Sequence, residues 1–234
     1  MDLGVLHLST DLPVAADAVA WSDYDAHRWM LIACAGLLLL SIREIMKLTP
    51  SMLGCIVRSR GNLEVEHSVS TARSRNTCAF VLAIPFILFA DRYRLYETFF
   101  IPDWDEPLPR FACLSGTLLA YLLLRRLLHA LLLGVSRHRM DSESLSAVTR
   151  GMYNYFICTV VFMLLTVSGI YIFDASDATV RNILWIMLAL MLLLSMVRES
   201  QILRMNCSGL VTFLYLCGLE IMPAAILIAS GFLL

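Results

Sequence analysis

Six long apolar blocks, separated by short polar connections, constrain the fold of this chain more than any other feature of its sequence. Their approximate bounds are Trp29–Ile45, Thr77–Tyr96, Phe111–Val135, Gly151–Phe173, Asn182–Arg198 and Leu210–Leu234. About 20 apolar residues in a helix cross the ~30 Å of bilayer hydrocarbon. A mean hydropathy of +0.75 and a hydrophobic content of 59% exceed those of ordinary soluble domains. The sequence therefore predicts an all-α fold, a polytopic helical membrane bundle of about six transmembrane helices with short loops.

The connections are too short to form a separate soluble domain, so we expect one membrane domain, residues 29–234, after an N-terminal segment, residues 1–28. That segment carries five aspartates and one arginine, the reverse of a secretory signal peptide. The longest connection, Lys47–Asn76, includes "SMLGCIV", which we interpret as a short interfacial amphipathic turn.

Basic residues predict the orientation of the bundle. One set of connections holds nine: Lys47, Arg58, Arg60, Arg73, Arg75, Arg137, Arg139, Arg150 and Arg204. The other side holds three: Arg28, Arg110 and Arg181. By the positive-inside rule, the nine-residue side is cytoplasmic and both termini lie outside the cytoplasm. We expect Arg58, Arg60, Arg137 and Arg139 to contact lipid headgroups.

The third block contains charged side chains at depths where a charge is costly. Arg125 and Arg126 lie about 21 Å from its outer end at 1.5 Å per residue, and His129 follows one helical turn later. One interpretation is that both arginines extend along the helix to the inner headgroups. The alternative is that one of them faces the bundle interior, because adjacent helical residues point about 100° apart.

Glu220 in the last block offers a partner for such an arginine. It lies about 15 Å from the cytoplasmic end of its block, the depth of Arg126 within the estimated bounds. We predict that Glu220 pairs with Arg126 or Arg125, in a polar cluster of Arg125, Arg126, His129 and Glu220; a protonated Glu220 bonded within the bundle is the alternative. Pro223 frees a backbone carbonyl and indicates a local irregularity.

Two other charged pairs lie at block ends. Asp91 and Arg94 are i,i+3 neighbours that we predict satisfy one another near the outer interface. Arg198 and Glu199 end the fifth block, and we place both at the cytoplasmic interface.

Ligand-binding motifs give little further guidance. The seven cysteines are scattered through the apolar blocks without a CxxC pair, which favours buried structural thiols over a metal site. We expect no metal and no cofactor. We expect membrane lipids and other membrane protein subunits as partners, and no nucleic acid.

"FLYLCGLEIMP", Phe213–Pro223, at the end of several short-looped spans, resembles an uncharacterised multi-pass inner-membrane family of Bacteroidota, a domain of unknown function. The resemblance implies a location in the inner membrane of a Gram-negative bacterium. It implies no activity.

Three functions fit these features. The first is a non-enzymatic subunit or scaffold of an envelope complex for secretion or assembly, favoured because the sequence lacks nucleotide-binding and hydrolase motifs. The second is a transporter or lipid-binding protein that uses the intramembrane Arg/His/Glu cluster. The third is an enzyme acting on a lipid phosphate, with His129 as acid or base.

Overall fold

The computed structural model of the protein describes residues 25–58, 61–95, 107–136, 142–172, 176–206 and 209–223. Within these ranges the chain is helical apart from single residues between helices and a short turn after residue 92. The helices are α1 (Asp25–Val57), α2 (Gly61–His67), α3 (Val69–Arg92), α4 (Pro107–Ser136), α5 (Ser142–Ile172), α6 (Asp177–Asn206) and α7 (Gly209–Leu216), which continues into a π turn, Cys217–Ile221. The helical bundle predicted from the apolar blocks is confirmed.

Local sequence signals set several helix starts. The Ser68 hydroxyl accepts a hydrogen bond from the backbone N–H of Thr71 and caps α3, and Ser176 caps α6 by accepting from Thr179. Helix α4 begins at Pro107, where the missing N–H needs no partner.

Five of the described helices are long and apolar enough to cross a membrane: Asp25–Val57, Val69–Arg92, Leu108–Leu131, Val148–Ile170 and Asp177–Met205. They correspond to the first five predicted blocks. The sixth predicted block, Leu210–Leu234, begins as α7 and the π turn. Its residues after Pro223 lie outside the described residues.

Much of the predicted Lys47–Asn76 connection is helical, which corrects our interpretation of "SMLGCIV" as a short interfacial turn. Helix α1 runs through Pro50 to Val57, so "SMLGCIV" is the last part of a long helix. The reason is packing: Met52 and Cys55 are each 1% exposed and lie in a core that includes residues of α2, α3 and α5. Gly61 lets α2 start directly against α1, since a Cβ at this position would lie 2.7 Å from the backbone nitrogen of Cys55.

Contacts between helix ends define two ends of the bundle. At one end, Asp91 near the end of α3 contacts His27 at the start of α1 and Arg110 at the start of α4. At the other end, Arg198 in the second half of α6 donates hydrogen bonds to the carbonyl oxygens of Ile56 and Val57 at the end of α1. The long helices therefore alternate in direction, and we call these the Asp91 end and the Arg198 end.

Candidate functional site

Arg125 is the centre of a buried charged cluster that joins four elements. Its side chain is 4% exposed, although it lies in a span with mostly apolar neighbours. The guanidinium donates from Nε and Nη2 to Glu220 Oε1, with an Nε–Oε1 distance of 3.0 Å, and from Nη1 to the carbonyl oxygen of Thr149 at 3.3 Å. Its Nη2 also lies 3.6 Å from Glu199 Oε1. We call Arg125, Glu199 and Glu220 the charged core.

The charged core places two carboxylates on one guanidinium. Glu199 and Glu220 are 1% and 2% exposed. Glu220 has the hydrogen bonds, whereas the Glu199–Arg125 distance suits an ion pair but is too long for a good hydrogen bond. Among the described residues, no N–H or hydroxyl group donates a hydrogen bond to either carboxylate oxygen of Glu199, and the Glu220 carboxyl group lies next to it. Glu199 is therefore buried, acidic and poorly satisfied.

The π turn accounts for the position of Glu220. It spans Cys217–Ile221, and the N–H of Met222 donates to the carbonyl of Cys217, five residues earlier. The extra residue in the turn lies just before Pro223, whose ring nitrogen has no proton to donate to the preceding turn. The irregularity predicted at Pro223 thus takes the form of a π turn, and Glu220 within it meets Arg125 on α4.

His129 lies one turn after Arg125 and joins α4 to α7. The imidazole is 3% exposed, and its Nδ1 lies 2.9 Å from the Tyr215 hydroxyl and 3.5 Å from the Thr149 hydroxyl. The two rings meet edge to face at 5.6 Å. The Nε2 atom is buried without a hydrogen-bond partner in the part of the chain described. His129 therefore supports the same contact between helices as the charged core.

A group of neutral polar side chains adjoins the charged core. Asn62 on α2 donates to the Tyr155 hydroxyl at 3.1 Å and accepts from the Asn154 amide at 2.9 Å. Gly151 lies between this group and Glu199, and it has no side chain to hold them apart. A Cβ at this position would lie 3.3 Å from Asn62 Nδ2 and 3.9 Å from Glu199 Oε1. The polar interior therefore extends from α2 to α7.

Arg126 is not part of the charged core. It is exposed, and its Nη2 reaches the Tyr153 hydroxyl at 3.5 Å. Of the two arginines that the sequence left open, Arg125 faces the interior and Arg126 faces outward. The helical offset of about 100° between adjacent residues explains why only one of them meets Glu220.

Glu199 is the residue of this site that sequence reasoning missed. We placed it with Arg198 at the interface, but α6 continues to Asn206, so neither residue lies at a helix end. Arg198 turns to the end of α1, while Glu199 turns inward. A signal was present, because Glu199 lies on the face of α6 that is buried. Eleven residues are about three helical turns, so spacings of three, four and eleven keep one face. The buried residues of α6 are Val180, Leu184, Ser195, Glu199, Ile202 and Leu203.

At the Asp91 end, the structure gives Asp91 two partners from other helices. Its Oδ2 lies 3.1 Å from His27 Nε2, and its Oδ1 lies 3.1 Å from Arg110 Nε. Arg94, its predicted partner, is exposed in the turn after α3 with φ of 45°, and its backbone N–H donates to the Asp91 carbonyl. Asp91 therefore ties the starts of α1 and α4 to the end of α3.

The remaining predicted site residues lie at the surface or outside the described ranges. Arg58 is exposed beyond the end of α1, whereas Arg60, Arg137 and Arg139 fall outside the described residues. Within the described ranges, no three His, Cys, Asp or Glu side chains are grouped in a way that holds a metal ion.

An apolar groove of about 260 Å³ lies between α1, α3 and α5, near the Asp91 end. Arg92 is its charged residue, and none of the charged-core residues contributes to it. Its lining residues are Leu31, Cys34, Ala35, Leu38, Pro85, Leu88, Phe89, Arg92, Tyr93 and Leu164.

Comparison with known proteins identifies a family without naming an activity. No curated protein and no solved structure matches the chain significantly. A family model described as a domain of unknown function, DUF4271, matches residues 59–230, from the residues before α2 to beyond Pro223. This match includes the whole charged core and most of the bundle, and the chain belongs to the DUF4271 family.

Proposed function

We propose that this protein is a non-enzymatic integral protein of the bacterial inner membrane, acting as a subunit or scaffold of an envelope complex for secretion or assembly. In this proposal the bundle has a structural role: it holds a fixed arrangement of helices against which other membrane subunits assemble.

The observation that supports this proposal is that the charged side chains inside the bundle contact other helices of the same chain. Arg125 directs its donors to Glu220 in the π turn and to the Thr149 carbonyl on α5, and it lies beside Glu199 on α6. Arg198 in the same way fastens α6 to the end of α1. Charged groups with such partners fix helix positions in the membrane, as expected of a scaffold.

Outward-facing apolar side chains provide the positions at which to test for partners. Leu40 on α1, Leu123 on α4 and Leu190 on α6 are 82%, 57% and 60% exposed. Lipid and protein partners both fit such faces, and crosslinking distinguishes them.

The test is photocrosslinking in living cells with a photoreactive amino acid at Leu40, Leu123 or Leu190, one at a time. We expect one of these faces to crosslink to a discrete protein, and the other faces to crosslink to lipid. Native mass spectrometry of the protein released from native membrane discs should then show the same partner in fixed stoichiometry. Lipid crosslinks at all three positions, together with a monomer mass, would contradict the proposal.

The apolar groove favours lipid binding as a second candidate function. Its walls suit an acyl chain, and Arg92 at its edge supplies a cation for a headgroup phosphate. Arg92 lies 5.6 Å from the centre of the Tyr93 ring, and its Nη1 lies 3.1 Å from Asp177 Oδ2.

Filling the groove tests this candidate. We expect Ala35→Phe, in the groove wall, to reduce the phospholipid retained by the purified protein in native mass spectra. Ala33→Phe, on the exposed face of the same helix, is the matched control. Equal lipid retention in both variants would exclude specific binding at the groove.

A further inference from the structure

We propose that Glu199 and Glu220 form a binding site for one proton beside Arg125, and that Glu199 holds the proton in the arrangement seen here. Binding adds one proton from water to the Glu199 carboxylate and converts it to the neutral acid; release returns the proton to water. This proton site does not depend on the proposed role as a subunit or scaffold.

Charge balance in the charged core calls for one proton. The charged core contains two carboxyl groups and one guanidinium, and an arginine stays protonated in proteins. If both glutamates were ionised, the core would carry one uncompensated negative charge in a segment that crosses the membrane, where an unpaired charge is costly. One bound proton removes that charge.

Within the part of the chain that the structure describes, Arg125 is the cation recorded beside Glu199. Arg198, its neighbour on α6, donates to the carbonyls of Ile56 and Val57 instead. The amide beyond Gly151, that of Asn62, is neutral. The charged and titratable groups that the described residues place around Glu199 come from α4, α5 and the π turn: Arg125, Tyr121, Tyr155 and Glu220.

Geometry assigns the proton to Glu199 rather than Glu220. Glu220 accepts two hydrogen bonds from Arg125, as an ionised carboxylate does. Glu199 lies 3.6 Å from the same nitrogen and has no hydrogen-bond donor among the described residues. Because the two carboxyl groups lie beside one guanidinium, loss of charge on Glu220 would let Glu199 ionise and take its place.

Infrared spectroscopy of the full chain in lipid nanodiscs tests the site. At neutral pH we expect a carboxylic-acid C=O band that disappears in Glu199→Gln. The band should also disappear in Glu220→Gln, because Glu199 then ionises against Arg125. Glu44→Gln, which changes a glutamate on α1 bonded to Lys47, is the control and should leave the band unchanged. A parent protein without the band, or a band that persists in both core variants, would overturn the proposal.

Thermal unfolding tests which glutamate holds the proton. Glutamine has nearly the shape of a protonated glutamate, so Glu199→Gln should leave the thermal midpoint within about 2 °C of the parent. Glu220→Gln should lower it by more, since it removes the bonded carboxylate. The reverse order would place the proton on Glu220 and overturn the assignment to Glu199.

Discussion

Several polar side chains of this protein are buried, and each of them contacts a partner on another helix. His129 illustrates this: its imidazole lies within a span, but it meets the hydroxyl of Tyr215 on α7. Glu220 and Asp91 likewise have their partners on other helices. A buried polar group without its partner destabilises a protein by more than the net worth of the bond, so each of these contacts is sensitive to substitution.

Tyr215→Phe removes the hydroxyl that meets His129 Nδ1 and leaves a buried imidazole nitrogen with a poorer partner. We expect a loss of about 1–3 kcal/mol in the free energy of unfolding. Tyr153→Phe is the control, since its hydroxyl contacts the exposed Arg126, and it should change stability by less than about 0.5 kcal/mol. Equal losses from the two substitutions, measured in mixed micelles, would argue against a structural role for the His129–Tyr215 contact.

At the scale of single residues, the sequence predicted those buried polar side chains whose burial in an apolar segment is energetically costly. Arg125, His129 and Glu220 stand out because they interrupt apolar runs. Depth along the helix did not choose between Arg125 and Arg126, because adjacent residues have nearly the same depth and differ in direction. Glu199 was missed because an Arg-Glu pair after a leucine run resembles a helix end, and its direction depends on how α6 packs.

The helices of this bundle are longer than the apolar blocks that predict them. Hydropathy detects the part of a helix in hydrocarbon, and α1 and α6 both continue beyond it through polar residues. Their extensions meet at the Arg198 end, where α2 packs against α1 by way of Gly61. Such extensions are stabilised by tertiary contacts, which the periodicity of one helix does not reveal.

Arg198→Met tests the contact between the extensions. Arg198 donates to the carbonyls of Ile56 and Val57, which lie among the last residues of α1 and lack intrahelical partners. Its removal should increase hydrogen exchange in residues 52–57 and leave the first turns of α1 unchanged. Arg204→Met, at an exposed position on the same helix, should affect neither region. Unchanged exchange at the end of α1 in the Arg198 variant would show that this contact does not hold the helix end.

At the scale of the whole molecule, the bundle has a different polar contact at each end and apolar faces between them. Asp91 joins α1, α3 and α4 at one end, and the charged core joins α4, α5, α6 and the π turn nearer the other. The class of fold and its first five spans followed from the apolar blocks alone. The meeting of Glu199 with Arg125 did not, because it requires knowing which helices are neighbours.

The count of basic residues predicts that the Arg198 end faces the cytoplasm. Ser176 at the start of α6 and Ser70 at the start of α3 are exposed at opposite ends of the bundle. A membrane-impermeant maleimide should therefore label Ser176→Cys in spheroplasts and label Ser70→Cys only after lysis. The parent protein, with its own cysteines, provides the background. The opposite labelling pattern would invert the orientation.

Arg125, and not Arg126, contacts Glu220 inside the bundle, and this contact is expected to hold the helices together. A double-mutant cycle measures this directly as the free energy of unfolding in mixed micelles. Arg125→Met should cost about 3–5 kcal/mol. Glu220→Gln should cost less than that, because Glu199 then ionises against Arg125, and the double variant should cost clearly less than the sum of the two single losses. Arg126→Met should cost little and add independently to Glu220→Gln. Additive losses for Arg125 and Glu220, or coupling of Glu220 to Arg126 instead, would contradict the account.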